Sequence, residues 1–316
     1  MSANRNLSYA VVLLGGVLLV ASASIMIRQA QQLGVASPVI AAGRLGFAAL
    51  ILSPIAAVRV RHELRGLRRR DILLGIGSGV CLALHFSAWI RSLEYTSVAS
   101  SSALVTTNPL WIALASMLLF RQRLSGLTWL GVLITIGGSI LIAISDSDGA
   151  SGSNALLGDG LALLGALAGS GYFLLGAALQ RRLSTLAYIW LVYTSAAIIL
   201  VGIALATGAW RFDQAGPGYP PVAYLLLLGL AVGPQLLGHT AFNWSLRHLS
   251  ATFVAIATLG EPIGGALLAL ILLGQTFRPI QLLGFVVLLA GIAVAARGER
   301  GGRTVRVGAG EVAVTR

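Results

Sequence analysis

At 316 residues, with 57% hydrophobic and 10% charged residues and a mean hydropathy of +0.87, the chain carries far fewer charges than the about 25% of a soluble domain. That excludes an ordinary cytosolic enzyme, and the unbroken apolar runs exclude a disordered or nucleic-acid-binding tail protein. The formal charge of +12 is compatible with either nucleic acid or a membrane surface until the charges are placed.

A span needs about 20 mostly apolar residues. The apolar runs fall at 8–27, 38–58, 72–90, 97–120, 126–144, 156–179, 186–206, 222–243, 249–273 and 279–296. Between them stand Gly34 to Pro38, the arginine run near 59–70, Ser145 to Asn154, and Gly208 to Pro221. The predicted fold class is an all-α membrane protein of ten transmembrane helices, with short loops and no separate soluble domain. At the N-terminus, Arg5, the stretch Tyr9 to Val20 and Ala21-Ser22-Ala23 also fit a secretory signal with a small-residue cleavage site. Cleavage would leave nine spans and break the charge pattern described next, so a retained first helix is preferred.

Every basic residue is arginine. With the N-terminus in the cytoplasm, the inner side holds Arg5, the six arginines from Arg59 to Arg70, Arg121, Arg123, Arg181, Arg182, Arg247 and five in the C-terminal tail, 17 altogether. The outer loops hold four, Arg28, Arg91, Arg211 and Arg278, and Arg44 lies within a span. Short loops rich in Lys/Arg stay cytoplasmic, so the asymmetry predicts both termini inside and a multi-pass protein of the inner cell membrane. The basic charge is then a topology signal with some attraction to anionic lipid, not a nucleic-acid footprint. The single cysteine, Cys81, lies in an apolar run and gives no disulfide framework.

Sliding the chain by 153 residues superposes two segments without a gap. Ser92-Leu93 meets Ser245-Leu246, Ser97 meets Ser250, Pro109 meets Pro262, Gln122 meets Gln275, Gly131 meets Gly284 and Gly138 meets Gly291. Leucine and alanine matches are cheap in membrane sequences; proline, glutamine and glycine matches at one offset are not. Each half holds five predicted helices, and five is odd, so the second half enters the membrane from the opposite side. Inverted repeats of this kind belong to many secondary transporters, with the binding site near the midplane between the halves. The predicted units are residues 8–144 and 156–296, followed by a disordered cytoplasmic tail, 297–316.

The segments Ser92-Leu93-Glu94-Tyr95-Thr96-Ser97-Val98-Ala99 through Asn108-Pro109, and Ser245-Leu246-Arg247-His248-Leu249-Ser250-Ala251 through Glu261-Pro262, resemble the two repeats of EamA-type transporters in the drug/metabolite transporter superfamily. The resemblance covers about 8–296. It implies ten helices, a central cavity between the halves, and export or exchange of small metabolites or drugs. It implies no single substrate, since such proteins move amino acids, nucleobases and cationic compounds among others. A small-molecule substrate and the lipid bilayer are the expected partners, with protons a possible coupling ion, no cofactor, and an oligomeric state the sequence leaves open.

Glu261 is the outstanding candidate for chemistry. It lies about 12 residues from either end of the ninth run, and a carboxylate at that depth costs several kcal/mol unless it is protonated, paired or facing water. It either lines the cavity, where it is a candidate proton carrier, or packs at a kink made by Pro262. Asn108, before Pro109, is the matching residue of the fourth run and is expected to face Glu261 across the pseudo-two-fold axis; a structural kink is the alternative. Arg44 must snorkel, pair with an acid such as Glu261, face the cavity, or hydrogen-bond backbone carbonyls while packing helices. The resemblance implies an arginine at this place in the second helix. His85 and His239 occupy nearly the same point of each half and read as neutral cavity or interhelical groups, since no further ligand stands beside them at metal spacing. Trp111, Tyr172 and Tyr193 are the deep aromatic candidates. Trp89 and Trp244, closer to span ends, read as interfacial belt residues, although Trp89, Phe242, Asn243 and Trp244 also form a cluster suited to a planar substrate.

Two other classes of function compete. An intramembrane enzyme needs Ser87 or Ser100 paired with His85 or His239, with no GxSxG elbow behind either serine. A membrane scaffold needs an interaction domain for which the loops are too short. ATP-driven transport is excluded by the lack of a phosphate loop or any lysine.

Overall fold

Inside a bilayer each backbone polar group has to be satisfied within its own segment, and the chain accordingly folds as helices almost throughout. The computed structural model describes residues 2–96, 98–118, 125–145, 154–210, 212–213, 216–273 and 279–310. Ser97, Gln122 and Gln275 lie outside the described residues.

In chain order the helices are α1 (Ser2–Ala21), α2 (Ala23–Gln32), α3 (Ser37–Arg59), α4 (Arg61–Arg65), α5 (Arg69–Ser92), α6 (Val98–Val105), α7 (Asn108–Leu118), α8 (Gly126–Ser145), α9 (Ala155–Leu179) and α10 (Thr185–Ala206). There follow α11 (Pro221–Leu230), a π-helical segment (Ala231–His239), α12 (Thr240–Leu246), α13 (Ala251–Thr258), α14 (Glu261–Leu273) and α15 (Pro279–Gly310). Between α10 and α11, Phe212–Asp213 pairs antiparallel with Gly216–Pro217.

Among the described residues six helices are long and apolar enough to cross a membrane: Tyr9–Gln32, Ser37–Arg59, Arg69–Ser92, Leu156–Leu179, Thr185–Ala206 and Pro221–Leu246. Gly126–Leu141 and Leu282–Ala295 are shorter apolar helices. The fourth and ninth predicted runs are each broken in two, α6 from α7 and α13 from α14. Arg28 belongs to α2 and not to a loop, and its guanidinium donates to the Leu93 carbonyl. The segment after 296 continues α15 to Gly310, with no proline beyond Pro279 to break it; residues 311–316 lie outside the described residues.

Small residues decide which helices approach. A Cβ on Gly79 would meet the Ser195 side chain of α10, and one on Gly171 of α9 would lie 2.9 Å from Cys81 Sγ, so α5 is held closely between α9 and α10. At one end of this group Glu63 accepts hydrogen bonds of 2.6 Å from both the backbone N–H and the hydroxyl of Ser184, and Arg182 pairs with Asp71 at 2.8 Å.

The pair α8 and α15 is closer still. Thr128 faces Gly298, Gly131 faces Ala295, Thr135 faces Gly291 and Gly138 faces Leu288. Rising numbers on one helix meet falling numbers on the other, so the two run antiparallel. A Cβ at Gly138 would lie 2.6 Å from the Leu288 nitrogen, and one at Gly291 2.6 Å from the Thr135 nitrogen. These contacts are reciprocal, since a shift of 153 carries Gly138 onto Gly291 and Thr135 onto Leu288. The same shift carries α6 onto α13 and the first residue of α7 onto that of α14.

Gly138→Val or Gly291→Val is therefore expected to force α8 and α15 apart, at about 1–3 kcal/mol of overpacking. A lower melting temperature in detergent checks it. Gly137→Val, whose Cβ would meet nothing within 4 Å, should leave the melting temperature nearly unchanged.

Candidate functional site

Two helix breaks build the site. Helix α6 ends at Val105, and α7 starts afresh at Asn108 with Pro109 as its second residue; α13 ends at Thr258, and α14 starts at Glu261 with Pro262 second. Proline is tolerated in a first turn because its missing N–H has no helical acceptor there. The two prolines thus begin new helices and do not kink continuous ones. Short turns close the gaps: the Thr107 N–H donates to the Leu104 carbonyl at 3.2 Å and the Gly260 N–H to the Ala257 carbonyl at 3.0 Å. Each break leaves the positive end of a half-helix in the interior.

Between the breaks lies a cavity of about 430 Å³, counting its open mouth. Five predicted residues line it: Asn108, Glu261, His85, His239 and Tyr172. Arg44 and Tyr193 stand behind its wall. Trp111 is not part of it, because its indole turns along its own helix and donates to Thr107 Oγ1 at 3.2 Å.

Glu261 makes no hydrogen bond or ion pair among the described residues, and Asn108 Oδ1 is buried without a partner. His85 Nδ1 lies 2.8 Å from the Gly165 carbonyl. A carbonyl only accepts, so Nδ1 carries the proton and the neutral ring offers Nε2 as an acceptor. His239 Nδ1 is buried without a partner, and the ring sits edge-on to Phe86 and Phe242.

Arg44 is wholly buried. Its Nε donates to Gln235 Oε1 at 2.8 Å, its guanidinium carbon lies 4.1 Å from the centre of the Phe86 ring, and its two terminal nitrogens have no partner. Neither an Arg44–Glu261 ion pair nor a backbone-bonded arginine is formed; an amide and a ring face take their place. Among the described residues Glu261 is the one acid within electrostatic range of Arg44. Gln235 lies in the π segment, directly after Pro234. Such segments are rare and concentrate at functional sites. From it a buried chain leads back to the cavity: the Tyr193 hydroxyl donates to the Gln235 carbonyl, Asn243 Nδ2 donates to the Tyr193 hydroxyl at 3.1 Å, and the Tyr172 hydroxyl donates to Asn243 Oδ1 at 2.7 Å.

Sequence reasoning passed over Gln235 and misplaced Trp89. Trp89 is a cavity wall, 4% exposed and stacked on His85 with ring centres 6.0 Å apart. The signal for Gln235 was present, an amide beside a proline in an apolar run, as at Asn108. Trp244 lies at the end of α12 between Tyr9 and His248, with ring centres 5.5 and 4.7 Å away. Partial burial, and then the neighbouring Arg247, hold the His248 imidazole below the usual histidine range.

The sequence pattern of the EamA-like transporter family matches residues 7–144 and again 156–297. The chain belongs to this family. It is 22% identical to the uncharacterized transporter YetK of Bacillus subtilis (strain 168) over 206 residues, 65% of this chain and 62% of YetK. A 76-residue stretch, 24% of this chain, is 33% identical to 68% of the probable 4-amino-4-deoxy-L-arabinose-phosphoundecaprenol flippase subunit ArnE of Escherichia fergusonii. A solved crystal structure superposes on 93% of this chain and 98% of its own with a TM-score of 0.70 at 17% identity, which shows a shared fold. With its apolar helices, this EamA-like chain is a multi-pass membrane protein of a transporter family.

Proposed function

We propose that this EamA-like protein is a secondary-active transporter of the inner membrane, exporting or exchanging a small metabolite or drug by alternating access through the cavity. One observation carries the reading: Asn108 and Glu261, 153 positions apart, open equivalent half-helices and line the same cavity. Broken helices that deliver polar groups to a central site are a transporter device. The two units are residues 8–144 and 156–296, five helices each and inverted with respect to one another. The antiparallel, reciprocal contact of α8 with α15 supports the inversion. Two comparable halves give an inward-open and an outward-open state of similar energy, which an enzyme does not need, and the Nδ1 of His85 is taken up by a carbonyl and not by a serine.

The deciding experiment compares metabolites in the medium of cells making the native chain and cells making Glu261→Gln, followed by counterflow in proteoliposomes. Accumulation of one compound class with the native chain alone is expected. No accumulation together with no counterflow of any candidate would overturn the transporter reading.

The cytoplasmic location of both termini is tested with single cysteines in a Cys81→Ser background. Ala206→Cys, at the exposed end of α10, should react with an impermeant maleimide in intact cells. Arg65→Cys, exposed at the end of α4, should react only after permeabilisation. The reverse pattern would invert the topology.

A further inference from the structure

The hydrogen-bonding capacity left over in the cavity wall is lopsided. Thr258 has spent its hydroxyl proton on the Ala255 carbonyl at 2.7 Å, and Tyr172 has spent its own on Asn243. Each turns only lone pairs toward further partners. His85, with Nδ1 given to Gly165, offers Nε2 as an acceptor. Asn108 Oδ1 is buried and unpartnered, and the Glu261 carboxyl, which also lines the cavity, offers acceptors alone once it is ionised, as beside an entering cation. Against these stand the unpartnered Trp89 Nε1, the Asn108 amide N–H group, and His239 Nδ1, which serves either way.

The rest of the lining is largely aromatic, with Trp89, Tyr172, Phe173 and Phe242. Arg44, the nearby cation, contributes nothing to the lining, being sealed behind Phe86 and Gln235. An anionic group entering the cavity therefore touches the Glu261 carboxyl and lone pairs, not the guanidinium.

Resting on the transporter reading, we propose that the cavity selects an aromatic cation bearing N–H donors, a protonated primary or secondary amine, over both anions and quaternary ammonium ions. The ammonium sits at the carboxylate of Glu261, with Asn108 Oδ1 and His85 Nε2 as further acceptors. Its aromatic part lies against Trp89 and Phe242, whose ring faces attract a cation as well. Aromatic walls alone hold a quaternary ammonium equally well. The N–H requirement comes from the acceptors, because a buried acceptor left facing a methyl group loses its hydrogen bond.

The test uses the full-length protein in detergent and in proteoliposomes, with three probes of similar size: 2-phenylethylammonium, its N,N,N-trimethyl analogue, and 3-phenylpropanoate. Binding is read by tryptophan fluorescence and by thermal shift. The primary amine is expected to bind about tenfold or more tightly than the trimethyl analogue, as a charged hydrogen bond worth about 1.5–3 kcal/mol requires, and the carboxylate is expected not to bind. Asn108→Leu should narrow the gap between the two cations, a change that mere unfolding would not produce. Equal binding of the two cations, tighter binding of 3-phenylpropanoate, or no binding of any probe to folded native protein would overturn the proposal. Binding of the amine without its counterflow would instead count against the transporter reading while leaving the selectivity intact.

Discussion

Glu261→Gln is expected to lower transport by about tenfold or more while leaving the amount of folded protein nearly unchanged. The stability half rests on opposing terms. A carboxylate at a half-helix N-terminus gains about 0.3–1 kcal/mol from the helix dipole, whereas an acidic side chain at membrane mid-depth costs about 2.5–3.5 kcal/mol on insertion scales. The second term is larger, and glutamine keeps the side chain's shape, so the variant should melt at or above the native temperature. The transport half rests on placement. Glu261 lines the cavity, opens a half-helix and has no hydrogen bond or ion pair among the described residues, so its charge is not consumed by the fold. If Glu261 carries the coupling proton, counterflow should survive in the glutamine variant better than uptake driven by a pH gradient. Measured side by side in proteoliposomes, the two assays separate lost coupling from lost binding. Full activity with unchanged pH dependence would remove Glu261 from the transport cycle.

Six of the spans and the paired breaks at Asn108 and Glu261 were legible because each leaves a one-dimensional trace. A bilayer demands long apolar runs, and a polar residue followed by proline inside such a run marks a break, as at Asn108-Pro109 and Glu261-Pro262. That the break is a new helix and not a kink was not legible, since proline is compatible with both until the backbone is seen. Trp89 was misjudged because distance from a span end says nothing about which way a ring faces. Gly165 opposite it has no side chain, and a Cβ there would lie 3.4 Å from Trp89 Cβ, so α5 can press the indole into the wall beside α9. The partner of Arg44 was sought among acids and backbone carbonyls, the usual ways to satisfy a buried cation. A guanidinium is also satisfied by an amide oxygen and an aromatic face, and both sit on segments distant in sequence, Gln235 in the π segment and Phe86 on α5. A π turn in particular leaves no periodic signature, which is why the residues it re-aims, Gln235 and His239, had no predictable direction.

Arg44→Met should fold as well as the native protein yet transport about tenfold less or worse. Methionine fills much of the same space and can lie on the Phe86 face, and it removes a buried cation for which the structure supplies one hydrogen bond and no ion pair. Replacing buried charge by a well-packed apolar group is often neutral or stabilising, by about 1–4 kcal/mol. Arg44→Ala is the contrasting variant: both substitutions deprive Gln235 Oε1 of its donor, but alanine also leaves a void. That combination should cost about 2–5 kcal/mol and is expected to lower the melting temperature outright. The transport defect of the methionine variant follows from the two unpartnered terminal nitrogens. Those nitrogens are available to a partner in the other access state, and among the described residues Glu261 is the acid within electrostatic range of Arg44. Arg44 then biases the exchange between the two access states, and methionine, indifferent to both, removes the bias. If Arg44→Met transports at the native rate with a native melting temperature, the arginine is only helix packing.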